Sequence, residues 1–535
     1  MRLSPAFTSL IFSCAVGSVS LLGCDGHPAP SKSGTLRTAV ASEPSSLLGF
    51  FARGAVSDAI SQQTAGALVR RTMAKGGIAF APDLAAHWTL ATDGRSVKFE
   101  LAPERMWSDG TAVSTDDVVA TFESLVDPRS GATRRDLASL LDETQPAVQS
   151  ERGEVILRFN RPLDESVALS VALHPIVPAA VVRRGALDDL PNVIENRQPP
   201  AAGSFRVSSW VPGTRIDLDR NRPTPGLVNR IEISIIPDSA AQIGMLISGH
   251  LDHVDPIPIE AVGSLSRVKD VTIWSRGQQT LELMVVNHDR EMFQSALVRS
   301  AISGAIDRDD LIRRALADSS GAPRGIAAQS PLHPLMSVAR SSPSATRAPA
   351  ELLDEDGWLA NNAGSRSRKG RILAFDLLIP RGHAVRERTA LVVQHQLQRA
   401  GVTVRIAALD FGDLMLRVRR GEFDAALVGF AVPPLPDLRA FWSSKPEGFL
   451  NFGRYRSAEM DRILDELLSP LQSDARAATT GRFEELFARD CPAVPLFWPD
   501  QIAGTRSTIT PTEWTSFGFL DGVDRWAISS DGVSR

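Results

Sequence analysis

Two groups of side chains in this sequence have types and spacings that chemistry could use. The first is His250-Leu-Asp252-His253-Val-Asp255, with two imidazoles and two carboxylates within six residues. Zinc accepts such ligands. Both histidines follow a helix that Gly249 ends, and no third ligand cluster stands at a recognisable distance. The segment therefore reads as a solvated loop, and no metal is expected. The second group is Asp109 with Asp117, which resembles a general acid–base pair on paper. Asp109 lies in the turn Trp107-Ser-Asp-Gly-Thr111, and Asp117 stands three residues after a capping serine, Ser114. Turn and cap chemistry account for both. Cys491, in Cys-Pro-Ala-Val-Pro-Leu-Phe-Trp-Pro, reads as a buried small hydrophobe rather than a nucleophile. The chain has no G-x-S-x-G, H-E-x-x-H, G-x-x-x-x-G-K-[ST] or G-x-G-x-x-G run. No catalytic residue and no cofactor is expected.

Without reaction chemistry, the elements that could build a binding crevice come forward. The clearest unit is 371–430. Arg371 to Ile379 is an apolar strand, and Arg386 to Ala400 is a helix that Gly401 stops. Val402, Val404 and Ile406 alternate in a second strand, Leu414 to Arg420 is a helix before Gly421, and Asp424 to Phe430 is a third strand. This alternation predicts a parallel sheet with helices on its faces. Ligands of such sheets bind beyond the carboxyl ends of the strands, which places loop 431–441 at a crevice, with Phe441 and Trp442 just behind it. Elsewhere, Leu36 to Ala41 is a short strand ended by Ser42-Glu43-Pro44, and His87 to Leu101 and Phe205 to Leu218 are hairpins. Trp88, Trp107 and Trp210 stand on these hairpins and turns as packing residues. Asp307 caps a helix that runs through Leu316, and 317–349 reads as long surface loops.

Composition bounds the class. A chain of 535 residues is expected to split into two or more domains. Charged residues are 22%, as in ordinary globular proteins, and the net charge of −4 gives no basic field for nucleic acid. The cations are nearly all arginine: six lysines stand among 58 basic residues. At the N-terminus, Arg2, a mainly apolar run to Leu22 and a small residue make residues 1–23 a secretory signal. The ending Leu21-Leu22-Gly23-Cys24 resembles a bacterial lipobox, which would make Cys24 the lipid anchor and residues 24–34 a tether. Asp25 favours retention at the inner membrane, on the same resemblance. Cys14 leaves with the signal, so only Cys491 remains and no internal disulfide forms.

The motifs together resemble the family 5 extracellular solute-binding proteins, which include the oligopeptide- and dipeptide-binding proteins of bacterial ABC importers. The resemblance runs in family order through Leu36 to Pro44, Pro82-Asp-Leu-Ala-Ala-His-Trp88, Asp93-Gly94 to Leu101, Trp107 to Thr111 and Asp116-Asp117-Val118. It continues through Gly203-Ser-Phe205, Trp210-x-Pro-Gly213, Ile236-Pro-Asp238, Ser248-Gly249-x-Leu-Asp252, Ala305-Ile-Asp-Arg308, Leu352 to Trp358 and Val494-Pro-Leu496.

The resemblance implies an α/β periplasmic binding protein fold of type II, with two lobes and an interlobe cleft. It implies three domains: domain I from 35–68, 196–281 and 505–535, domain II from 69–195, and domain III from 282–504. It implies a monomer that captures a peptide or other small solute and delivers it to ABC permease subunits from the periplasm. The alternative is a receptor of the same fold that signals to a membrane partner. Ligand-binding residues are expected at Glu43, Ser45, Phe430, Pro433, Pro434, Asp437 and Trp442. In peptide-binding members of the family, the loop after Phe430 carries an acid that pairs with the ligand's ammonium. Counted from either side, that acid's place holds Pro433 or Pro434 here. Proline donates nothing and carries no charge. Either the ligand is apolar or uncharged, or its ammonium is met elsewhere, with Glu43 a candidate.

Overall fold

The computed structural model describes residues 34–49, 51, 54–74, 77–130, 135–142, 144, 146–151, 153–184, 197–278, 280–336, 347–362, 364–432, 437–446, 448–512 and 518–529. The signal, Cys24, Asp25, Pro433 and Pro434 lie outside them. The organising element is one mixed sheet of twelve strands in two halves. In the first half, Thr35–Val40 runs parallel to Arg230–Ile235 and His253–Val254. The hairpin Phe205–Val211 with Arg215–Arg220 extends its edge. In the second half, Ala374–Pro380 runs parallel to both Thr403–Leu409 and Ala425–Ala431, the parallel unit expected from the alternation of strands and helices. Thr280–Val286 is antiparallel to Ala425–Ala431.

The halves form two lobes joined by two strand crossings. The long strand Ala493–Arg506 pairs at its start with Thr280–Val286 and at its end with His253–Val254 and Val271–Gln278. The second crossing leads from Val271–Gln278 into Thr280–Val286. Both crossings weaken the ladder. Register shifts occur between Ser275 and Gln278 and between Glu282 and Leu283, and Pro499 brings no N–H to the long strand.

Helices cover the sheet for readable reasons. Gly421 stops Phe411–Arg420 at φ 73°, the left-handed geometry that glycine adopts without strain. The Asp307 carboxylate accepts from the Asp310 amide and caps Arg308–Ala315. Around the crossings the apolar core is continuous, with Leu246 and Val254 from the first half in one cluster with Phe375 and Leu397 from the second. A further layer, Ala85–Leu90, Ser96–Leu101, Glu154–Arg158 and Val148–Glu151, is a four-stranded antiparallel sheet with its own core. Helix Thr115–Val126 buries Val118, Phe122 and Leu125 there, and Ser114 and Asp117 form its capping box.

Two sequence expectations change. Within 317–349, Gly325–Ala327 is a strand, paired with Phe497 to Pro499 beside a crossing. The expected strand from Arg371 is split. Arg371–Ile372 joins a three-stranded sheet with Leu359–Ala360 and Arg366–Arg368, and the main strand starts at Ala374. Among the described residues, no helix is long and apolar enough to cross a membrane.

Candidate functional site

The carboxyl ends of the parallel strands in both halves, Val40 and Val254 on one side and Pro380 and Ala431 on the other, lie toward the crossings. Thr280, the first residue past one crossing, pairs with Ala431, and Val254 pairs with Gly504 near the other. The crevice between the lobes is therefore where both sets of strand ends meet.

On the first wall, Glu43 is exposed. Its Oε1 accepts from Trp210 Nε1 at 2.8 Å and from the Gly213 amide at 3.0 Å. This ties the loop after the first strand to hairpin 205–220. The Arg197 guanidinium lies 5.6 Å above the Trp210 ring. Ser45 is exposed too, and its amide donates to Ser57 Oγ.

The second wall carries a charged pair that the sequence did not single out. Glu282 stands two residues past the crossing and faces Arg386, from the first turn of helix Ala384–Arg399. Arg386 Nε donates to Oε2 at 2.9 Å and Nη2 to Oε1 at 2.8 Å, with the side chains 12% and 8% exposed. The pair lies flat over Gly429. A Cβ there would stand 2.5 Å from Arg386 Nη2 and 2.6 Å from Glu282 Oε1, so any larger residue would push the ends of both side chains aside. A lone acid in the apolar run Leu-Glu-Leu-Met was the only signal available; its partner is 104 residues away.

The expected site residues of this wall fall into two groups. Asp437 receives Arg439 in a fork, Nε at 2.9 Å and Nη2 at 2.8 Å. Phe430 and Trp442 are buried. Phe430 packs on Phe441 and Phe452, and Trp442 meets Phe487 edge-on at 4.9 Å, so both back the wall from the core.

The other clusters settle into structural roles. The histidine segment is not the solvated loop read from its polar residues. His253 is buried in a two-residue strand, with Nδ1 on Thr505 Oγ1 at 3.1 Å and its ring edge-on to Trp526. Asp252 takes a fork from Arg37, and His250 hydrogen-bonds Ser248. No group of three metal-ligating side chains occurs among the described residues. Cys491 is buried, and burial pushes its thiol up to about 11. A cavity of about 300 Å³ opens beside the crossings, between Ile273, Ser275 and Ile502 and the turn of Asp318 and Arg324. Its charges pair with each other, Arg324 Nε donating to Asp318 at 2.8 Å.

The lobes also meet away from the crossings. Arg161 Nη1 donates to Asp465 at 2.7 Å, and Arg476 Nη2 donates to Asp164 at 2.6 Å. The Asp164 amide donates to the Leu468 carbonyl at 2.7 Å. Leu468, just past helix Ala458–Leu467 of the second lobe, is fully buried in the core of the four-stranded layer.

This architecture has close counterparts. The profile of the bacterial extracellular solute-binding proteins, family 5, matches residues 79–448. The chain is 23% identical to the oligopeptide-binding protein AppA of Bacillus subtilis over 440 residues, 78% of each chain. The structure of that AppA in complex with a nonapeptide superposes with a TM-score of 0.78 at 21% identity, covering 94% of this chain and all of that one. NikZ of Campylobacter jejuni, in complex with Ni(L-His), superposes with a TM-score of 0.78 at 20% identity over 93% of this chain. The chain belongs to the family 5 bacterial extracellular solute-binding proteins.

Proposed function

We propose that this protein captures a peptide or other small solute between its lobes and delivers it to the permease of an ABC importer, without bond chemistry. In this reading Cys24 carries the lipid that holds a monomer to the membrane on the periplasmic side, and domains I and II form one lobe against domain III. The observation that carries the capture step is the clamp itself. Two weakened strand crossings join the lobes on one side, and polar contacts close the rim opposite. A flexible joint with separable polar contacts elsewhere is what hinge closure needs.

Native mass spectrometry of gently purified protein, with residues 1–23 removed and Cys24→Ser, tests the reading. A ladder of peptide masses or a single small-molecule mass is expected on the intact chain. Bare protein that also fails to shift its melting temperature with peptide mixtures or medium extracts would refute solute capture.

A further inference from the structure

We infer that Arg386 is the anchoring cation of this cleft, held in position by Glu282, and that it receives a carboxylate of the solute. The inference deepens the solute-binding reading and rests on it. A buried ion pair is weak as a stabilising device, because desolvating both charges offsets most of their attraction. Its place here is specific: Glu282 stands on the strand that runs into the crevice, and the pair closes over Gly429, where no side chain competes for the space.

The guanidinium has three faces, and Glu282 occupies the Nε–Nη2 edge. Among the described residues no acceptor serves Nη1, so its two protons remain for a further acid. The neighbouring arginines are engaged. Arg381 turns to Asp410 and the Ala408 carbonyl, and Arg388 to Glu260 and the Ala315 carbonyl. The carboxylates are engaged as well. Glu43 holds hairpin 205–220, Asp437 is forked by Arg439, and Glu282 is forked by Arg386. A ligand ammonium thus meets three acids that already have partners, whereas a ligand carboxylate meets an arginine edge in a fixed orientation. Charge-assisted contacts of this kind are the strong ones. Arg386 also stands in the first turn of helix Ala384–Arg399, where the backbone dipole favours an anion.

Thermal-shift and calorimetric titrations with defined probes test this. The probes are a mixed tetrapeptide library as free acids, the same library N-acetylated, the same library as C-terminal amides, and a set of non-peptide carboxylic acids. Free-acid and N-acetylated peptides are expected to bind alike while amides fail, or the non-peptide acids bind instead; the two outcomes name the source of the carboxylate. Arg386→Met should weaken acid binding about ten- to a hundred-fold. Glu282→Gln should lower the ratio of acid to amide affinity, the mark of a positioning residue, and should also lower the ligand-free melting temperature, because it leaves Arg386 without its buried counter-charge. The double variant Glu282→Met/Arg386→Met removes both charges together and controls for folding. Equal binding of amides, acid binding unchanged by Arg386→Met, or no response to any acid would overturn the inference. A neutral solute found bound by native mass spectrometry would overturn it while leaving solute capture standing.

Discussion

Leu468→Ala perturbs closure without touching either wall of the cleft. The side chain belongs to the second lobe, yet it is fully buried in the core of the layer that faces that lobe. Separating the lobes must withdraw it. Truncating a buried leucine costs about 2–5 kcal/mol, and the lower half of that range applies because the open state loses nothing. A loss of about 2–3 kcal/mol raises the open population roughly 30- to 150-fold. Hydrogen exchange of segment 160–168 reads this directly, since the Asp164 amide donates across the rim to the Leu468 carbonyl. That amide should exchange faster by the same factor, while strands Ser96–Leu101 and Glu154–Arg158 of the same layer keep their protection. Arg161→Ala should have a smaller effect, about 0.2–1 kcal/mol, because the Arg161–Asp465 pair is 36% and 31% exposed. Uniform acceleration across the whole layer would refute the reasoning: Leu468 would then be an ordinary core residue of one folding unit rather than part of a separable contact.

Gly429→Ala should push the ends of Arg386 and Glu282 aside and destabilise the protein by about 1 kcal/mol in denaturant titration, the low end of overpacking, because both groups are flexible side-chain ends. An unchanged midpoint would show that the pair shifts without cost and is not held rigidly over this residue. Burial, with Arg299 nearby, lowers His288 from 6.5 to about 4. The unfolded chain therefore binds the proton first as pH falls, so stability is full above pH 6.5 and declines toward pH 4. The loss should reach up to about 3 kcal/mol, and His288→Gln should flatten that slope in melts between pH 7 and 4.5. In the Cys24→Ser protein lacking residues 1–23, a thiol reagent should leave Cys491 unmodified in buffer and label it in denaturant, as its burial and raised pKa require.

Local chemistry was the legible part of the sequence. Ser114 with Asp117, Asp307 before its helix and Gly421 after another act over three or four residues, and the structure uses each as expected. The alternation over 371–430 sufficed for a parallel unit because every strand and helix in it is bounded by its own stop. Long-range partners left no trace. Glu282 and Arg386 are 104 residues apart, and Arg161 and Asp465 are 304 apart. The strand Ala493–Arg506 was hidden for another reason: Pro495 and Pro499 argue against a single strand of 14 residues, yet Pro495 falls at a register shift against Thr280–Val286 and Pro499 where the strand changes partner. His253 misled because its neighbours are polar, although His253 and Asp252 each have a partner within the sheet.

The position of Glu282 separates selection from closure. It stands two residues past a crossing, at the register shift between the long strand and Thr280–Val286. Bending there moves its lobe, yet Arg386 and Gly429 belong to the same lobe and move with it. In the proposed closure the charged pair would therefore keep its geometry. On the opposite wall, Glu43 is fixed to its own lobe by Trp210 and Gly213. Such a hinge motion would change the distance between two preformed walls rather than the walls themselves. A solute held first on the second wall would meet Glu43, Trp210 and Arg197 only on closing. Its affinity would then divide into an anchoring term set by Arg386 and a closing term set by the rim. Arg386→Met and Leu468→Ala act on different terms, so their effects on affinity should add within about 0.5 kcal/mol. Strong non-additivity in a double-variant titration would show that anchor and rim form a single cooperative contact.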